Sequence, residues 1–194
     1  MASVHWTMSA DLFDNLALTP EEDAWWVDPD AMGESPTPVF ISVELAAQQW
    51  FDSSDVRRRS NSLFDDALPT YSAIEVVRQV RGEEAVEPVI NALRMHYLDL
   101  RAKQGGKELP LVEGIDEEYL GPRGALQLDA VAGVIGRERL VKLIRNHLKN
   151  VSRGNIDTWA ESLITAMTDA APPDERFRVE TTLNAVTLTN ADGA

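Results

Sequence analysis

Three carboxylates stand among the more apolar parts of this chain: Glu44, inside residues 39–52, and the adjacent pair Asp65 and Asp66, inside residues 63–73. Carboxylates that share an apolar wall hold their protons more tightly than in water, because burial and like-charge repulsion both oppose ionisation. Such a group is a general acid near neutral pH, suited to epoxide opening, cyclisation or isomerisation of an apolar small molecule. Other chemistries have fewer residues to draw on. His5, His96 and His147 are too scattered to build a metal site or a triad, and no Ser or Thr stands in a nucleophile elbow. Glycine-rich phosphate loops are absent, and with no cysteine there are neither thiolate ligands nor disulfides. A hard cation such as Mg²⁺ or Ca²⁺ would want more oxygens than Glu44, Asp65 and Asp66 offer.

The elements that must position these acids read mostly as helices. Residues 39–51 place Val43, Ala46, Ala47 and Trp50 at helical spacing with Glu44 beside that face. A second helix over residues 68–80 repeats the pattern with Tyr71, Ile74, Val77 and Val80, starts with Pro69 in its first turn and stops at Gly82. Asp65 and Asp66 just ahead of it are placed to cap its N-terminus, an alternative to any chemical role. The longest helix spans residues 83–104, with Val86, Val89, Ile90, Leu93, Tyr97 and Leu100 in one stripe, before Gly105 and Gly106. After a loop over 107–117 come helices over 124–134 and 137–150, broken at Gly136, with His147 near the end of the second. A last helix, capped by Asn155 or Asp157, runs through Ala170 to Pro172 and Pro173. The alternating, β-branched residues 177–189 predict one strand or a hairpin.

Taken with their spacing, three stretches resemble the aminopeptidase N-like zinc peptidases, the gluzincins. Val43-Glu-Leu-Ala-Ala-Gln-Gln-Trp50 is similar to H-E-L-A-H-Q-W-W, with Val43 and Ala47 at the two histidine positions and Glu44 at the general base. The segment from Leu63 to Ala73 resembles L-N-E-G/S-L-x-x-Y-S-A, with Asp66, nineteen residues after Ala47, at the third ligand position. Glu108-Leu-Pro-Leu-Val and then the segment from Tyr119 to Leu128 resemble the part of the family containing Y-x-K-G-A-L. There Gly121 holds the place of the oxyanion-stabilising tyrosine, and Arg123 that of the lysine. The resemblance covers residues 39–190 or so and implies a mainly α, thermolysin-like helical lobe with a short C-terminal β segment. It also implies a cleft containing Glu44, Asp65 and Asp66, lined by Val43, Ala47, Trp50, Tyr71, Tyr119 and Arg123. Valine and alanine have no lone pair to give a metal, so neither zinc nor another cofactor is expected. The cleft then either binds a small organic ligand or a protein as a pseudo-peptidase, or runs a metal-free acid/base reaction through Glu44 and the Asp65/Asp66 pair.

Composition bounds the remainder. The 194 residues divide into an irregular segment 1–38 with room for one short helix, a helical domain 39–176 and the strand or hairpin 177–194. Trp25 and Trp26 read as an aromatic plug on a core surface. A net charge of −14 argues against nucleic acid and anionic membranes as partners, since phosphate binding draws on clustered Lys and Arg. The run Arg57 to Arg59 has Asp52 and Asp55 beside it and reads as a solvated loop. No signal peptide is visible and no apolar run approaches the roughly 18 to 20 residues that span a bilayer, so a cytoplasmic location is expected.

Overall fold

The structure, a computed structural model, describes residues 63–103, 108–113, 119–151 and 159–185. The calls on Val43, Glu44, Ala47 and Trp50 lie outside these residues, as do those on the N-terminal segment. A π-helical turn, Leu63–Ala67, runs directly into α1, Leu68–Arg81. A 3₁₀ turn, Glu83–Ala85, leads into α2, Val86–Lys103. Then follow α3, Leu120–Ile135, α4, Arg137–Val151, α5, Trp159–Ala170, and α6, Arg176–Asn184. Among the described residues there is no strand.

Helix α3 is the axis of the bundle, and its neighbours are the π turn and every other described α-helix. Every residue from Leu120 to Leu128 is buried, which is what a helix enclosed on all sides requires of its sequence. It starts four residues before the predicted Gly124, because Pro122 fits a first turn where its missing N–H leaves no bond unmade. The α2 stripe is as expected: Val86, Val89, Leu93, Tyr97 and Leu100 are buried and Ile90 is half-buried. On α5, Leu163, Ile164 and Met167 face the core.

Two glycines make the joints. Gly82, at φ 87°, ends α1 while its N–H donates to the Arg78 carbonyl, and Gly136, at φ 91°, separates α3 from α4 while its N–H donates to that of Ala132. A side chain at either positive φ would be strained.

Two sequence expectations are corrected. Residues 177–184, expected to begin the strand or hairpin 177–194, lie in helix α6, and residues 186–194 lie outside the described residues. The β-branched residues are overridden by packing: Val179 and Leu183, four apart, are buried, whereas Phe177, on the same face of the expected strand, is 78% exposed. Gln127 of α3 also donates from Nε2 to the carbonyls of Thr182 (2.7 Å) and Ala185 (3.1 Å), satisfying acceptors that a helix leaves open at its C-terminus. The second correction concerns capping. The residue ahead of α1 is Ala67, helical at φ −71° and ψ −42°, with no side-chain cap. The chain is already wound there, and Asp66 belongs to the π turn.

Among the described glycines the tightest surroundings are those of Gly124, where a Cβ would stand 2.4 Å from the Cβ of Ala67 and 2.8 Å from Cδ1 of Leu111. Gly133, on the same helix, has no atom within 4 Å of such a Cβ. Gly124→Ala is expected to destabilise the chain by about 1–3 kcal/mol through overpacking. Gly133→Ala is expected to stabilise it by about 0.5–1 kcal/mol. Urea denaturation of both variants checks the pair, and equal effects would contradict the packing described.

Candidate functional site

Arg123, in the first turn of α3, has no exposed surface. A guanidinium cannot lose its proton in a protein, so full burial obliges the fold to surround it with acceptors. Its Nη1 donates to Glu108 Oε2 at 2.9 Å and its Nη2 donates to the Leu109 carbonyl. The guanidinium also stands 5.3 Å from the centre of the Tyr119 ring. Glu108, whose side chain is 1% exposed, is bridged by the Tyr97 hydroxyl at 2.9 Å from each oxygen and pairs with Arg101 Nε at 2.8 Å. The Tyr119 hydroxyl accepts the Leu109 N–H at 2.9 Å. Tyr119 and Arg123, expected to contact a ligand, thus direct these groups at the chain itself and fasten residues 108–111 to α2 and α3.

Asp66 and Gly121 come together. A Cβ on Gly121 would lie 3.3 Å from the Asp66 Cβ and 3.7 Å from the Thr70 hydroxyl, and that hydroxyl donates to the Asp66 carbonyl at 2.9 Å. Half-buried Asp66 therefore rests on the first turn of α3, the positive end of that helix, in a π turn of the kind often found where backbone is shaped for a ligand. These are the positions that the resemblance assigns to the third metal ligand and to the oxyanion tyrosine. The side chain of Asp65 lies outside the described residues.

Zinc does not fit this residue set. Val43 and Ala47 offer only alkyl side chains, and among the described residues no three of His, Asp and Glu are grouped to hold an ion.

A second polar cluster, absent from the sequence reading, lies behind Tyr71. Glu75, 4% exposed, pairs with Arg78, which also reaches Glu83 Oε2 at 2.7 Å and Asp129 Oδ1 at 2.8 Å. Arg137 joins from α4, 2.8 Å from Asp129 Oδ1 and 3.5 Å from both Glu75 Oε1 and Glu83 Oε1. These charges stitch the joints at Gly82 and Gly136 to one another. Burial raises the pKa of Glu75 despite the opposing pull of Arg78 and Arg137. Burial also raises that of Tyr71 well above its ordinary value, helped by the charges of Glu75 and Asp129, so the phenol stays neutral. The buried Tyr71 hydroxyl stands beside the Glu75 carboxyl, and hydrogen bonding between the two adds to the rise at Tyr71 and opposes that at Glu75. The cluster had a sequence signal: Asp129 is the sole acid in the apolar run of α3, and an acid set between buried apolar residues implies a nearby cation.

No family model, curated protein or solved structure matches the chain.

Two outcomes follow from these clusters. Arg123→Met leaves Glu108 buried beside fewer cations and is expected to cost about 3–5 kcal/mol in urea denaturation, much of it recovered when Glu108→Met is added. An additive double variant would contradict the pairing. For Glu75, the proton is held more tightly in the folded chain than in the unfolded one, whose ordinary value is 4.5. Its stabilising contribution is therefore fully present below that pH and lost as pH rises through the higher folded value. The stability of the natural chain relative to Glu75→Gln should increase as pH falls from 7 to 4, and a flat or opposite trend in denaturation midpoints would reject this.

Proposed function

We propose that the chain is a non-peptidase relative of the gluzincins and binds a small, uncharged organic molecule at the position of the vacated metal centre. One observation carries the reading: Gly121 lies against Asp66. In the pattern that the chain resembles, a phenol and a metal-binding carboxylate occupy these two places; here one has no side chain. With Val43 and Ala47 in place of imidazoles, the same substitution of bulk and charge by small apolar groups recurs at three positions. At Gly121 the missing side chain lets Asp66 approach the backbone of α3, while the bulk lost in having Val43 and Ala47 for imidazoles, with few polar groups beside it, suits an apolar molecule better than an ion. Asp66 supplies an acceptor for one hydroxyl or amide of the ligand, and Glu44 supplies a second.

Native mass spectrometry of the full chain, purified without chelator, tests the proposal. The expected spectrum shows an added organic mass, retained by the natural chain and depleted in Asp66→Asn and Glu44→Gln. Losing a hydrogen bond to a charged acceptor, about 1.5–3 kcal/mol, lowers affinity roughly tenfold or more. One zinc per chain, or undiminished retention in both variants, would overturn the reading. Conversion of the retained molecule on incubation would move the assignment from binding to acid catalysis by the same carboxylates.

A further inference from the structure

Helix α2 has two faces. Its inner stripe, from Val86 to Leu100, is buried in the bundle. Its outer side has a second stripe at alternating spacings of three and four, Pro88, Asn91, Met95, Leu98 and Ala102, and each of these is exposed. Such spacing is that of a seam along which two helices pair. Met95 is 66% and Leu98 45% exposed, two of the four large hydrophobic side chains left uncovered among the described residues. A third, Leu109, follows Glu108, which Arg101 of α2 holds at 2.8 Å, so it stands beside the same helix. The fourth, Phe177, stands singly between Arg176 and Arg178 of α6, and isolated apolar residues of that kind are ordinary on a surface.

The two edges of this seam carry opposite charges. Arg94 lies on one edge, exposed, and its Nη1 reaches the Asn91 amide oxygen at 3.5 Å with no acid beside it among the described residues. Asp99 lies on the other edge; its Oδ2 takes Lys103 at 2.6 Å, which leaves Oδ1 open. Five residues separate Arg94 from Asp99. That is the offset at which the facing edges of two parallel paired helices exchange salt bridges, one heptad to the next.

We infer that the outer face of α2 is a self-association surface, on which a second copy of this chain packs its own α2 in parallel about a two-fold axis. Charge and register select both the occupant and its direction. A parallel two-fold pairing opposes each seam residue to itself: Met95 to Met95, Leu98 to Leu98, and Asn91 to Asn91, whose amide can both donate and accept. It also sets Arg94 of each copy against Asp99 of the other, so one unmatched pair closes twice. Antiparallel packing centred on Met95 and Leu98 would instead bring Arg94 beside the other copy's Arg101, a like charge that opposes it. The contact is small, because 18 helical residues extend only about 27 Å. It buries less than the roughly 1,200 Å² of a standard stable complex, so the dimer is reversible and dissociates on dilution. The inference is independent of the ligand proposed above, which concerns the π turn and α3.

Sedimentation equilibrium of the full chain over about 1–200 μM tests the association, and the average mass is expected to rise from one chain toward two across that range. Leu98→Asp and Arg94→Asp, both at exposed positions, should each raise the dissociation constant roughly tenfold or more. Adding Asp99→Arg to Arg94→Asp exchanges the two charges and should recover most of the affinity. The chain has no cysteine, so Ala102→Cys reads the direction of packing without interference. Parallel helices bring this position to itself within disulfide reach, whereas antiparallel ones centred on Met95 and Leu98 hold the two copies of it about 16 Å apart. Mild oxidation should therefore link chains through Ala102→Cys about fivefold more than through Glu180→Cys, an exposed position on α6. The mass of one chain at every concentration would leave the face to another part of the chain or another protein and overturn the inference. A dimer indifferent to Leu98→Asp, a charge exchange that recovers nothing, or equal linking through Ala102→Cys and Glu180→Cys would each overturn it as well.

Discussion

A guanidinium with no exposed surface is the constraint from which most of this architecture follows. Arg123 can be buried only if acceptors come to it, and they come from a segment with little regular structure, Glu108 and Leu109. Once these are held, Leu111 is delivered to the surface of α3 beside Gly124, and the absence of a side chain there lets the π turn approach at Ala67. Asp66 and Gly121 meet one residue from Ala67 and three from Gly124. The candidate site is thus the last link in a chain of contacts that begins with a buried ion pair. Tyr97 and Arg101 of α2 belong to the same chain because Glu108 needs more than one donor.

Helices were legible where one face is buried. Tyr71, Ile74 and Val77, or Val86, Val89 and Leu93, repeat at a spacing that only a helix turns inward, and Gly82 and Gly136 mark stops because a positive φ excludes other residues. Legibility failed where contacts distant in sequence decide the outcome. Residues 177–184 carry the composition of a strand, yet their conformation answers to a groove beside α3 and to the amide of Gln127, 55 residues away from Thr182. The π turn was not foreseen either, since nothing in Leu63–Ala67 distinguishes it from the loop that usually precedes a capped helix.

The polar residues divide along a similar line. Tyr119 and Arg123 stood out through their motif, but a motif does not say whether a side chain points at a ligand or at its own chain. Burial made that distinction, and it turned both inward. Asp66 was recognised for its position and emerges beside Gly121. The ion cluster at Glu75 escaped notice because its members, Glu75, Arg78, Asp129 and Arg137, are spread over three helices and meet only once two glycine joints have folded the chain back. Such a cluster ties the geometry of the joints to the ionisation of one buried acid.

The three tyrosines, Tyr71, Tyr97 and Tyr119, are each 1% exposed and all belong to the helical bundle. Four of the five tryptophans, Trp6, Trp25, Trp26 and Trp50, precede it in the chain. The molecule therefore carries two nearly separate optical reporters. Tyrosine absorbance follows the bundle and tryptophan emission follows mainly the first quarter of the sequence; with Trp159 of α5 replaced by phenylalanine, energy transfer from the one to the other measures how near that quarter stays to the core.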